Sequence, residues 1–160
     1  MRQDILFNSI GTIHSDFKDT DKIPIQPVFA QESKGYLKIF PEFVEGLQDL
    51  DLFSHIYLFY HLHQATLTKL TVTPYLSDTK RGIFATRAPS RPNPMGFSLV
   101  KLDKIIGNIV HVSELDILDN TPLIDIKPFI PKFDYREEAD EGWFAGMDEN
   151  EAKRRGSRKQ

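Results

Sequence analysis

Three prolines fall within the six residues from Pro89 to Pro94, and Arg87 and Arg91 stand just before and inside that run. Each proline holds its own φ near the extended range, removes a backbone donor and pushes the preceding residue out of helical geometry. The stretch between Gly82 and Gly96 therefore enters neither a helix nor the middle of a sheet. It must cross as a stiff arch that presents Ser90 and Arg91. A preorganised loop loses little entropy when it meets a ligand, and a guanidinium is a planar fork suited to carboxylate or phosphate. The plainer reading is a rigid link between two strands with solvated arginines, and the loop alone does not choose between the two.

The flanking segments read as mostly β. Ile5 to Ser15, Tyr36 to Phe40, His55 to Gln64, Lys69 to Thr73 and Leu123 to Lys127 have strand-like composition. Ser98 to Ile106 and Ile109 to Leu115 read as a hairpin turning at Gly107-Asn108. In the aromatic strand, period two puts Ile56, Leu58, Tyr60 and Leu62 on one face and His55, Tyr57, Phe59, His61 and His63 on the other. Pro41 to Leu50 predicts a short helix, with Pro41 and Glu42 suited to its first turn and Gly46 to its end. Many strands, few helices and no βαβ rhythm argue against a doubly wound sheet. The predicted fold class is mainly β, a small single-domain β-barrel-like fold with a few short helices.

At 160 residues the chain can bury a substantial core as one domain. It has no cysteine, which removes disulfides, zinc knuckles and thiol nucleophiles. No apolar run is long enough to span a bilayer and the N-terminus lacks a signal-peptide pattern, so the expected location is cytoplasmic, with no membrane partner. The net charge of −3 does not advertise nucleic-acid binding, but the distribution does more. Six basic residues and a single acidic one lie between Lys80 and Lys104, a surface that can hold phosphates. Residues 134–151 are acidic and 153–160 basic; the tail reads most simply as solubilising charge.

A second phrase, Leu115 to Pro131, carries Asp116, Asp119 and Asp125 around the turn signal Asp119-Asn120-Thr121-Pro122. Together, Phe84–Gly96 and Leu115–Pro131 resemble the TsaA/TrmO-like family of S-adenosylmethionine-dependent tRNA methyltransferases, whose marks are phrases like FATRSPxRPNPIG and LDxxDGTPxxDIKPYxP. The resemblance runs from about Ile10 to Asp134. It implies a methyltransferase domain over 1–134 and a C-terminal extension over 135–160. It also implies a cofactor pocket assembled from separate segments, since no glycine-rich dinucleotide phrase is present. By match, S-adenosylmethionine would be held by Pro27, Val28, Phe29, His63, Gln64, Arg87, Phe97, Ser113, Glu114, Leu115 and Asp116. For Val28, Phe29 and Leu115 a core role is the stronger reading of the residues alone.

The implied reaction is methyl transfer to N6 of the threonylcarbamoyl-adenosine at position 37 of tRNA. The residues offer His63 as a base near neutral pH and Asn93, in Asn93-Pro94, as a partner for an exocyclic amine. Lys80, Arg81 and Arg91 are the candidate RNA contacts. A homodimer is expected from the family and from the sticky aromatic strand. The alternatives are a methyltransferase acting on a small molecule or protein, and a cofactor- or RNA-binding module without activity. His61 and His63 on one strand face suggest a metal pair, but no third ligand is evident, and no metal is expected. Ala88, Met95, Val28-Phe29, Ser113-Glu114 and Asn120 depart from the family pattern; Asn120 is the substitution best able to keep a positive φ. The extra C-terminal domain of longer members has no counterpart in these 160 residues.

Overall fold

Six strands close on themselves because each carries an alternating apolar face. The computed structural model describes residues 3–19 and 33–146. The strands are β1 (Gly11–Ser15), β2 (Lys34–Ile39), β3 (His55–His61), β4 (Thr71–Val72), β5 (Arg81–Gly82), β6 (Met95–Ile106), β7 (Ile109–Ser113) and β8 (Thr121–Pro128). All pairings are antiparallel, and the closed barrel runs β1-β2-β7-β6-β3-β8, while β4 and β5 form a separate two-stranded ribbon. Ile13, Leu37, Ile56, Leu58, Val100, Val110, Val112 and Leu123 point inward and are fully buried. The mainly β, barrel-like expectation is what the structure shows. Among the described residues no helix is long and apolar enough to cross a membrane.

Where strands stop is decided by their partners. The first strand begins at Gly11 rather than Ile5, because Gly11 pairs with Ile39 on one side and Leu123 on the other. Ile5, Leu6 and Phe7 lie beyond that ladder and are exposed. β3 ends at His61, not Gln64: His61 is the last residue opposite β6, and Pro94, next in line, offers only its carbonyl, which Leu62 N–H meets at 2.7 Å. Of Lys69 to Thr73 only Thr71–Val72 is strand, paired with Arg81–Gly82. β7 stops at Ser113, short of Leu115, because Glu114 takes a left-handed conformation with φ 63°. The predicted helix from Pro41 is a 3₁₀ turn, Pro41–Leu47, that runs through Gly46 rather than ending on it. The hairpin turn at Gly107-Asn108 forms as expected, with Gly107 at φ 58°, and Asn120 holds φ 61°.

One close approach organises the β3–β6 seam. Tyr60 lies opposite Gly96, and a Cβ placed on Gly96 would sit 2.3 Å from the Tyr60 ring. Both partners are committed: the ring is buried in the core, and the glycine is the second residue of β6, where the chain leaves the Pro-rich arch. Gly96→Ala is expected to lower stability by about 1–3 kcal/mol through overpacking. Urea unfolding checks this, and an unchanged midpoint would show that the seam accommodates a methyl group.

Candidate functional site

The segment after β7 builds the floor of the site. The left-handed Glu114 turns the chain inward; its N–H donates to the Ser33 carbonyl (2.9 Å), and Ser33 Oγ donates to the Leu115 carbonyl (2.6 Å). Leu115 is then fully buried in the core, as the residues alone suggested. Asp116 emerges beside β6, where Ser98 Oγ donates to its Oδ1 at 2.6 Å. The Tyr60 hydroxyl lies 3.0 Å from the same Ser98 oxygen. Because the one serine proton is directed at Asp116, Tyr60 is the donor in that second bond. Tyr60, Ser98 and Asp116 thus form a polar chain running out of an apolar barrel. Burial raises the Tyr60 hydroxyl's pKa well above the ordinary range.

Asp116 is the electrostatic centre of this end. Burial pushes its pKa up to about 7, opposed by the Ser98 hydrogen bond, its own backbone N–H and the charge of Arg87. Arg87 projects from the Pro-rich arch with its guanidinium 4.9 Å from the centroid of the Phe97 ring, and its charge is felt at Asp116. Phe97 is 44% exposed on the outer face of β6, stacks with Phe59 at 6.5 Å and lies tilted against Tyr57 at 6.4 Å. Tyr57, Phe59, Phe97 and Asp134 line an open hollow of about 380 Å³.

The three aspartates of the second phrase have separate fates. Asp116 accepts from Ser98 and feels the charge of Arg87. Asp119 ties its turn to β1: it accepts from Ser15 N–H (3.1 Å), from Lys18 and from His14 Nδ1 (3.3 Å). Burial opposes its ionisation, but the Lys18 and Ser15 hydrogen bonds prevail and hold its pKa below the usual carboxylate range. Asp125 pairs with Lys127 at 2.8 Å.

Of the residues matched to cofactor binding, Arg87, Phe97 and Asp116 come together. Leu115 contributes backbone only, and Ser113 turns its hydroxyl to Asp103 (3.0 Å) on the barrel exterior. Exposed His63 and Gln64 occupy the turn that follows β3. The bond from Leu62 to Pro94 sets that turn's backbone beside Asn93. Pro27, Val28 and Phe29, and the basic tail, lie outside the described residues. Among the described residues no three His, Cys, Asp or Glu side chains form a group able to hold a metal.

The RNA-contact candidates are partly engaged within the protein. Arg91 Nη1 donates to the Thr86 (2.8 Å) and Ala88 (3.2 Å) carbonyls, stapling the arch to itself. The Arg81 guanidinium lies 5.3 Å from the Trp143 ring, and the Trp143 indole N–H donates to the Ala85 carbonyl (2.7 Å). Lys80 is exposed. Sequence reasoning missed the Tyr60–Ser98–Asp116 chain. Its one signal was Ser98, a hydroxyl at an inward position of an otherwise apolar strand.

One end of this small closed β-barrel carries a guanidinium over an exposed ring and a buried carboxyl held by an inward serine. Residues 12–135 match the family described as the tRNA-methyltransferase O N-terminal domain. The chain is 51% identical over 139 residues to a probable S-adenosyl-L-methionine-binding protein of Pyrococcus abyssi, covering 87% of this chain and 76% of that one. It is 35% identical to the mouse tRNA (adenine(37)-N6)-methyltransferase over 137 residues, 81% of this chain and 32% of the mouse protein. A crystal structure of TrmO superposes with a TM-score of 0.76 at 38% identity, over 88% of this chain and 64% of that one. The chain therefore belongs to the tRNA-methyltransferase O N-terminal domain family. It spans under two thirds of the solved TrmO chain and about a third of the mouse enzyme.

The Asp116 environment has a thermodynamic consequence. In the folded protein the carboxyl keeps its proton up to about pH 7, whereas an unfolded aspartate loses it near pH 4. Between those values the native state binds more protons, so stability falls as pH rises; below pH ~4 the group contributes no slope. Asp116→Asn is expected to gain on wild type by on the order of 1 kcal/mol per pH unit across that window. Urea midpoints of both proteins from pH 4.5 to 8 measure it, and a pH-independent offset would rule out the raised pKa.

Proposed function

We propose that this chain is an S-adenosylmethionine-dependent methyltransferase acting on N6 of threonylcarbamoyl-adenosine at position 37 of tRNA. The observation that carries the reading is the convergence of Arg87, Phe97 and Asp116, supplied by the two family phrases from distant parts of the sequence. The donor set suits the cofactor. The Arg87 fork suits a carboxylate, Phe97 suits a ring or an alkyl chain, and Asp116 can accept from ribose hydroxyls. Pro27, Val28, Phe29, His63, Gln64 and the backbone of 113–115 complete the pocket in this reading. The cofactor, when bound, supplies an electrophilic methyl group on a sulfonium.

The chain's own residues then position the acceptor. The adenine amino nitrogen is a weak nucleophile because its lone pair is delocalised, so orientation and a proton acceptor matter most. His63 takes the N6 proton, and Asn93, beside the His63 turn, orients the amine. An unpaired anticodon-loop base can be splayed out at low cost, and Lys80, Arg81 and Arg91 place the RNA on the arch side. Residues 1–134 form the methyltransferase module, 135–160 are an extension, and the protein works in the cytoplasm, where its substrate is.

Incubation with labelled S-adenosylmethionine and bulk tRNA that carries threonylcarbamoyl-adenosine without the N6 methyl group, followed by nucleoside mass spectrometry, is expected to yield label on N6 of threonylcarbamoyl-adenosine. Label on a protein or small molecule instead would select the second reading, and cofactor binding without transfer the third. Arg87→Ala is expected to weaken cofactor binding roughly tenfold or more, by loss of a charge-assisted contact; calorimetry with unchanged affinity would remove Arg87 from the pocket.

We further infer a symmetric homodimer that covers the strip formed by His55, Phe129, Tyr57, Phe97 and Phe59, whose successive rings lie 5.7–6.5 Å apart across β3, β6 and the residue after β8. Sedimentation at micromolar concentration is expected to give a dimer, and Tyr57→Glu a monomer. A wild-type monomer under those conditions would reject it.

A further inference from the structure

The arch has a second face. Its residues 88–90 wall a groove of about 850 Å³, separate from the hollow lined by Phe97, whose other wall is β4 with its flanking residues and Lys80. Lys69, Leu70, Tyr75, Lys80, Pro89 and Ser90 shape it, and its lining among the described residues includes two ammonium groups and no carboxylate. Leu70 and Tyr75 expose most of their apolar surface into solvent.

The groove is built rather than incidental. Lys69 N–H donates to the Ser90 carbonyl (3.0 Å), and Ile83 N–H to the Leu70 carbonyl (2.9 Å), so ribbon and arch are laced at two points. Arg91 and the Thr86 hydroxyl hold the arch in shape from within. Both walls are thus set before any ligand arrives, which lowers the entropic cost of binding.

We propose that this groove is the cradle for single-stranded RNA: Lys69 and Lys80 contact phosphates, and an unstacked base rests on Tyr75. The proposal rests on the methyltransferase reading above and assigns its RNA track. Two cations without a carboxylate match a polyanion, and an exposed aromatic in the same groove matches a base that has left its stack. Thr71, Thr73 and Ser90 add hydroxyls suited to sugar and phosphate oxygens. Consecutive residues of the arch front the two sites, since Ala88 lines the groove while Arg87 lies over Phe97. A strand held in the groove therefore lies one loop's thickness from the cofactor residues. Arg81 and Arg91, engaged with Trp143 and the arch carbonyls, shape this track rather than carry its charge.

Filter binding of a 17-nucleotide anticodon stem-loop RNA at several salt concentrations tests the groove. Lys69→Ala/Lys80→Ala is expected to flatten the slope of log affinity against log salt by roughly 1.4, from two lost single-strand phosphate contacts. Tyr75→Ala is expected to weaken binding on the order of tenfold with the slope kept, and Tyr75→Phe to restore it. All three side chains are exposed, and calorimetry with S-adenosylmethionine is expected to give wild-type affinity for each variant. Wild-type RNA binding with unchanged slope and affinity in the variants would overturn the groove and leave the methyltransferase reading intact. RNA bound through these lysines, but no methyl transfer to tRNA, would keep the groove and overturn that reading. No RNA binding by the wild type would overturn both.

Discussion

The contact between Tyr60 and Gly96 is the constraint on which the site depends. β3 and β6 can pair in the register His61 to Met95 only if the ring at 60 has open space where a side chain at 96 would stand. That register sends Phe97 outward and Ser98 inward, one residue apart on a pleated strand. Phe97 then meets Arg87, and Ser98 links the Tyr60 hydroxyl to Asp116. A slip of one residue would exchange the two faces and separate the aromatic platform from the carboxyl.

The polar end of the barrel is costly by design. Asp116 is held where ionisation is penalised, and the Ser98 bond and the Arg87 charge only partly offset the loss of water. Glu114 adds a left-handed backbone of the kind that costs roughly 1–2 kcal/mol outside glycine. Both features fall in the same short segment, and together they set one carboxyl at the rim. Strain and a perturbed acid concentrated at one point do not favour the stability of the barrel, and they are the features that the cofactor reading proposed above puts to use.

The arginines divide their labour in a way their shared chemistry does not announce. Arg87 overlies an exposed ring beside the carboxyl, Arg91 closes the arch upon itself, and Arg81 packs against Trp143. The arch thereby becomes a rigid partition with a distinct surface on each side. Trp143 ties the chain that follows the barrel back to Ala85 and to Arg81, so at that point the described chain is packed onto the partition.

Much of this was legible in the linear chain. Alternation in His55–His61 and Ser98–Ile106 specified strands and their buried faces, because period two leaves no other way to hide the apolar set. The Pro-rich stretch specified a non-helical arch, and Gly107 and Asn120 specified turns, because their backbone freedom is local. The two phrases singled out Arg87, Phe97 and Asp116. What the tertiary structure alone decided depends on partners distant in sequence. Strand ends at Gly11 and His61 follow from where the neighbouring strand runs out or meets a proline. The different roles of Arg81, Arg87 and Arg91 follow from which carbonyl or ring folding brings within reach. The high pKa of Asp116 follows from its burial beside Ser98, eighteen residues away. Local preference travels with the residue; desolvation, close approach and charge pairing exist only once the barrel has closed.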